Sequence, residues 1–245
     1  MDSDLTWRSC LIGLSESTYS FALRCLTDSL PTNNNLCLWG KVTSPKCHLC
    51  GSDKETLHHI LNHCSRALER YKWRHDNILV KLSSFLQDNL KDHPDSPLVK
   101  SDVRVCDNKF DLDARICTLP ADIIQTSQRP DIVITNRVKN TIDIIELTVP
   151  YETNFQAARE RKAERYSSVI ASIAQTDFKC NFESIEVGAR GVISHGTSAI
   201  LKRLTGATRQ NVRQHMRILS QTVLKCSYLL FIHRNNPNFI FDFVL

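Results

Sequence analysis

Between residues 47 and 64 the chain reads Cys47-His48-Leu49-Cys50-Gly51 and then, after a polar stretch, His58, His59, His63 and Cys64. No other feature limits the possible folds as strongly. Two thiols separated by two residues can grip one ion from a tight turn, and Gly51 permits the backbone reversal that follows. The distal pair falls on helical spacing. His59 and Cys64 have four residues between them, so both reach one ion only if the helix ends or loosens near Asn62. His58 with His63 is the competing pair, and a reduced Cys pair beside surface histidines is the plainer alternative; the paired spacing favours zinc. Zinc would contribute folding free energy on the order of 10 kcal/mol. That matters because roughly 25 residues cannot bury a core of their own. Such a knuckle can touch nucleic acid or simply brace the next helix, and the sequence leaves both roles open.

Ten cysteines would suit a disulfide scaffold in a small secreted protein. No charged-then-apolar leader follows Met1, and no stretch approaches the roughly 18 apolar residues of a membrane span. A reducing, intracellular setting with no membrane partner is the expectation, and there clustered Cys and His are more often metal ligands than bridges. With 245 residues, 42% of them hydrophobic, the chain is long enough for one ordinary domain plus appendages. A net charge of +5 tolerates an anionic partner without demanding one.

Ser15 to Leu30 places Tyr19, Leu23 and Leu26 on one helical stripe, with Phe21 and Cys25 beside it, and stops at Pro31. After the Cys/His run, Leu68, Tyr71, His75, Ile78, Leu82 and Phe85 recur at steps of three and four, the spacing of one face of a long helix over 66–91. Strands are expected at 101–106, 131–135, 141–149 and 182–187, with Asn136 to Asn140 as a hairpin turn. Phe155, Ala158, Lys162, Tyr166, Val169 and Ile173 return to helical spacing over 153–175. Two more helical patterns run from Ser198 to Leu204 and from Thr208 to about Ile232, separated by Gly206. The fold class is therefore mixed α/β, a small mixed sheet flanked by helices. The expected organisation is a helical lead-in over 1–40, the zinc knuckle over 41–66, a core over 67–190 and C-terminal helices over 191–245.

The hairpin carries the second cluster. If its turn pairs Asn136 with Thr141, the antiparallel register sets Asp131 opposite Glu146, on one face. Asp143 lies an odd number of residues from Glu146 and so points to the other face. Two carboxylates sharing a site repel unless a divalent cation lies between them, and an all-oxygen pair with open positions suits Mg2+ or Mn2+. A solvated sheet face with two acids is the bland alternative. Lys162 argues against it, because it sits on the apolar stripe that should face the sheet, and lysine is rarely buried without a partner. It could also snorkel to solvent. Tyr166 lies one turn further on.

Together, Arg129-Pro130-Asp131, Glu146-Leu147-Thr148-Val149-Pro150-Tyr151-Glu152 and Lys162 with Tyr166 resemble the restriction-like endonuclease of non-LTR retrotransposons, within the PD-(D/E)xK superfamily. The run from Cys47 to Cys64 looks like the CCHC motif that precedes that nuclease. Asp28 to Asn33, Asn35-Leu36, Trp39-Gly40 and Trp73-Arg74-His75-Asp76 add to the likeness, which covers about residues 7 to 190. The resemblance implies that Cys47, Cys50, His59 and Cys64 bind a structural zinc, that Asp131 and Glu146 hold a catalytic Mg2+ or Mn2+, and that Lys162, with Tyr166 to position it, acts at the phosphate. It also implies a core of helix, three strands, helix and strand, in which Glu69 or Asp76 could aid the metal. The superfamily's usual lysine lies two residues after the second acid, where this chain has Thr148. In the retrotransposon branch it moves to the following helix, which fits Lys162.

By that resemblance the chain is expected to be a nuclear DNA endonuclease, leaving a 3′-hydroxyl that primes reverse transcription. It would be fused to a reverse transcriptase and have DNA and the element's RNA as partners. No polymerase motif occurs here, so a C-terminal fragment or derived host copy is expected. A non-catalytic zinc-dependent nucleic-acid-binding module and a structural remnant are the competing readings.

Overall fold

Strands β4 (Ile132–Asn136) and β5 (Thr141–Thr148) read as nearly continuous apolar runs because both faces of their sheet are covered. The computed structural model describes residues 7–51, 53–113 and 117–245, so the first six residues of the expected lead-in lie outside it. Helix α1 (Trp7–Leu11), α2 (Glu16–Leu26) and α3 (Asn33–Leu38) lead into the Cys/His segment. The long helix α4 (Leu68–Leu90) follows, then β1 (Leu98–Ser101), β2 (Arg104–Cys106) and β3 (Lys109–Asp111). Beyond β5 come α5 (Phe155–Ile173), β6 (Lys179–Glu186), α6 (Thr197–Thr205) and α7 (Arg209–Ile232).

The main sheet has the order β1-β4-β5-β6. The first three of these strands are antiparallel, and β5 pairs in parallel with β6 across the α5 crossover. On one face Val133, Ile142 and Ile144 pack under Tyr166, Val169 and Ile173 of α5. On the other, Ile132, Ile134, Ile145 and Leu147 meet Ile78 and Leu82 of α4 and Met216 and Leu219 of α7. This second cluster runs across residue 190, so the C-terminal helices share the core of the sheet. Among the described residues no helix is long and apolar enough to cross a membrane.

Two local expectations are corrected. The segment 101–106 is not one strand of the main sheet. Asp107 and Asn108 take positive φ of 50° and 60° and turn β2 back on β3 as a separate hairpin, while the sheet's first strand is the half-exposed edge segment β1, paired with β4. Helix α2 ends at Leu26, before the positive φ of Asp28. Its buried side is Phe21, Ala22 and Cys25, because Phe21 packs on Tyr228 and Phe231 of α7, and Tyr19, Leu23 and Leu26 are exposed.

Candidate functional site

The first cluster rests on an unusual helical turn. His59–His63 forms one turn of π-helix, closed by a 2.9 Å bond from the Cys64 N–H to the His59 carbonyl. In an α-helix, positions five apart point about 140° away from each other; the wider π turn brings them towards one side. The opposite pair is set by a turn in which the Gly51 N–H meets the Cys47 carbonyl at 2.8 Å, with Gly51 at φ +74°. As a result the ligand atoms of Cys47, Cys50, His59 and Cys64 all lie within 4.8 Å of one another. Cys47 Sγ is 3.9 Å from Cys64 Sγ, and Cys50 Sγ is 3.4 Å from His59 Nε2.

Those separations match the edges of a zinc tetrahedron, roughly 3.8 Å between sulfurs and 3.5 Å from sulfur to nitrogen for bonds of about 2.3 and 2.05 Å. Burial pushes the Cys64 thiol up to about 12 and also raises Cys47, so a dication is needed to hold them as thiolates. Asp53 lies 3.8 Å from His59 Nδ1, on the side of the ring away from the thiols. The donor set fits zinc. His58 and His63 do not join it. They pack edge to face at 4.1 Å, and His58 also lies against Tyr151.

Several buried groups fasten this turn to the sheet. The Tyr71 hydroxyl accepts from the Cys64 N–H and faces the His59 carbonyl, both at 3.0 Å. Arg74, 1% exposed, donates to the carbonyls of Leu61 at 2.8 Å and Val149 at 3.3 Å. Asn62 donates to the same Val149 carbonyl at 2.8 Å. Val149 directly follows β5, which carries the second cluster.

There the register pairs Asn136 with Thr141 and Ile132 with Ile145, so Asp131 and Glu146 fall opposite each other at the open end of the hairpin. The Asp131 N–H donates to Glu146 Oε1 at 3.1 Å, and Asp131 Oδ2 accepts from the Leu147 N–H at 2.8 Å. Lys162 reaches in from α5. Its ammonium contacts Glu146 Oε2 and lies 3.7 Å from Asp131 Oδ2. Asp143 points to the other face, held by Arg203 at 2.9 Å and Asn181 at 3.1 Å. Tyr166 is fully buried beside Glu146, its hydroxyl without a hydrogen bond of normal geometry. Glu69 is exposed on α4.

His75 was not among the expected site residues. Its ring spans from Asp76, 3.2 Å from Nδ1, to Asp131 Oδ2 and the Leu147 carbonyl, 3.5 and 3.2 Å from Nε2. Both nitrogens thus face acceptors, which requires both to carry protons. Burial opposes that charge, but Asp131 and Asp76 outweigh it and push His75 up to about 10. In return, and against its own burial, Asp131 is held at about 2 by His75 and then Lys162. Glu146, with its side chain 1% exposed, is raised by burial and by Asp131, with Lys162 opposing. Its place on the apolar stripe of a long helix marked His75 as inward-facing, but not as a partner of the hairpin carboxylates.

Here two carboxylates from neighbouring strands flank the Lys162 ammonium, and their oxygens are of the type that hard divalent cations take as ligands.

Among comparisons with known proteins, residues 4–71 match the model of a family described as zinc-binding in reverse transcriptase. That segment contains all four donors of the first cluster. No curated protein matches the chain.

Proposed function

We propose that this chain is a metal-dependent DNA endonuclease, part of a retrotransposon protein that also carries a reverse transcriptase, with the zinc site as a structural brace. The observation that carries the reading is Lys162. A lysine on the sheet-facing stripe of α5, 18% exposed and bridging two carboxylates of opposite strands, forms with them the kind of buried, mutually perturbing charge cluster that concentrates at functional sites.

In this reading Asp131 and Glu146 hold Mg2+ or Mn2+. When bound, the cation supplies an activated water and stabilises charge on a phosphate. Lys162 presents its ammonium to a non-bridging oxygen of the scissile phosphate, where negative charge grows in the transition state. Tyr166 fixes the position of Glu146 and of the turn of α5 beneath Lys162. His75 orients Asp131 by binding the same oxygen that accepts from Leu147. The product strand retains a 3′-hydroxyl, and the place of action is the nucleus, where the target DNA lies.

Zinc-loaded protein should nick supercoiled plasmid in Mg2+ or Mn2+, leaving ends that a polymerase extends, while Glu146→Gln should not. Intact plasmid after incubation with both metals would remove the reading. A binding series in salt would then separate a DNA-binding module, whose affinity falls steeply with salt, from a chain that does not bind nucleic acid.

A further inference from the structure

Beside the carboxylate pair, a groove of about 440 Å³ runs between the π turn of the zinc segment and the first turns of α5. Asn62 and His63 line it from the zinc side, Thr148 and Tyr151 from the end of β5, and Asn154 and Arg161 from the α5 side. Thr148 follows Glu146 by two residues on the same face of the strand, roughly 7 Å along it. The groove therefore begins one same-face position along the strand from Glu146, and Ala158 and Arg161 of its lining flank Lys162 on α5.

Its chemistry differs from that of the neighbouring cluster. None of the lining residues is acidic, and Arg161 supplies a cation. Thr148 is 8% exposed, yet its hydroxyl has no hydrogen-bond partner. Asn62 spends its amide nitrogen on the Val149 carbonyl, which fixes the side chain and leaves Oδ1 buried and unpaired. Buried polar atoms without partners are costly. Both atoms lie closed to solvent in the wall of one groove, beside an arginine and without a carboxylate, and a local opening of that wall would offer them to a ligand that carries hydrogen-bonding edges and negative charge.

We propose that this groove seats the nucleotide next to the scissile phosphate in the bound DNA strand. Arg161 takes its phosphate, and Asn62 Oδ1 and the Thr148 hydroxyl, once the wall opens locally, meet its sugar or base edge. Tyr151 does not act as a stacking platform, because Arg190 covers its ring at 4.4 Å and His58 at 4.5 Å. The zinc segment then contributes directly to substrate binding through Asn62. The inference rests on the endonuclease reading, but it predicts binding where that reading predicts cleavage.

The test is fluorescence anisotropy of a labelled DNA duplex with zinc-loaded full chain and no magnesium or manganese added. Thr148→Val keeps the shape of the side chain and removes an unpaired hydroxyl, so it should not lower the melting temperature; it should weaken binding about fivefold, the scale of one hydrogen bond. Arg161→Ala, at an exposed position, should weaken binding about tenfold and reduce the slope of affinity against salt by about one phosphate contact. Arg213→Ala, on the remote face of α7, should change neither. Equal effects of Arg161→Ala and Arg213→Ala, with Thr148→Val silent, would overturn the groove assignment while leaving the cleavage reading intact. So would a wild-type chain that does not bind the duplex. Groove-dependent binding without nicking in either metal would keep the groove as a nucleotide-binding site and remove the endonuclease.

Discussion

The two ligand clusters lie close together and are built on opposite plans. At the zinc site four donors converge within 4.8 Å of one another, three of them buried. At the hairpin, two carboxylates share an ammonium and an imidazolium, and the side chains of Asp131, Lys162 and His75 remain 14%, 18% and 24% exposed. A closed tetrahedron satisfies the metal completely and leaves it no chemistry to perform. An open, charge-balanced cluster stabilises the fold less and leaves positions that a substrate can fill. On the proposed function, stability belongs to the first region and reactivity to the second, the two joined at the Val149 carbonyl where Asn62 and Arg74 meet.

The strongest way to break this division is to remove the zinc. Cys47→Ser should lose the ion and with it stabilisation on the order of 10 kcal/mol for the segment around it. Hydrogen exchange should then show amides of residues 59–64 losing protection while β4 and β5 keep theirs. Nicking should fall as well, because the anchor on Val149 goes with the turn. Retained protection across the π turn in the zinc-free protein would mean that the ion is not what organises it.

The reverse prediction concerns Lys162. Lys162→Ala should lower nicking by about 10²-fold or more, the scale of one preorganised charge-stabilising group, while metal-free DNA affinity stays within a few-fold and zinc content is unchanged. Equal losses of binding and cleavage would reassign Lys162 to simple phosphate binding.

How much of this was legible in the sequence follows from how local each determinant is. Alternating β-branched residues around a polar turn fix the hairpin register, so the facing of Asp131 and Glu146 and the turning away of Asp143 could be read directly. The spacing of Cys47, Cys50, His59 and Cys64 even required a loosened turn, and the π turn supplies it. What escaped depends on contacts distant in sequence. The side of α2 that is buried is chosen by Tyr228 and Phe231, and the edge strand β1 is too short and polar to announce itself. His75 joins the hairpin cluster only because α4 crosses the open end of β4, a placement that no periodicity encodes.

Acid should separate the two regions further. Asp131, held at about 2 against an ordinary 3.8, contributes stability that is fully present above about pH 4 and is lost only as pH falls towards 2. Glu146 is shifted upward and acts in the opposite sense, and His75, raised to about 10, contributes fully below its ordinary 6.5, so none of the three costs the hairpin cluster stability between pH 7 and 5. Protons compete directly for the zinc ligands. His215, buried against Phe85 and pushed down to about 3 by that burial, adds a separate loss that begins below about pH 6.5, so the comparison is best made in His215→Met. In that background, lowering the pH from 7 to 5 should release zinc to a chromophoric dye while the far-ultraviolet signal of the sheet persists, and added zinc should shift the midpoint downward. A midpoint indifferent to zinc would place the acid-sensitive step elsewhere.

The smallest effect is the sharpest test of the ligand register. His59 with Cys64 and His58 with His63 are both five positions apart, so spacing alone offers either pair to one ion. In the structure His63 is exposed and its nearest aromatic contact is His58, at 4.1 Å. His63→Ala should therefore leave zinc stoichiometry at the wild-type value and change stability by no more than about 0.5 kcal/mol, as exposed substitutions away from special features do. His59→Ala removes a donor whose Nε2 lies 3.4 Å from Cys50 Sγ, and it should cost most of the zinc at equal protein concentration. Inductively coupled plasma mass spectrometry on the two variants reads the difference without reference to any activity. Zinc loss in the His63 variant with retention in the His59 variant would mean that His58 and His63 are the ligand pair in solution. The closed site would then be built from the other pair, and the anchor of Asn62 on Val149 would have to be rebuilt with it.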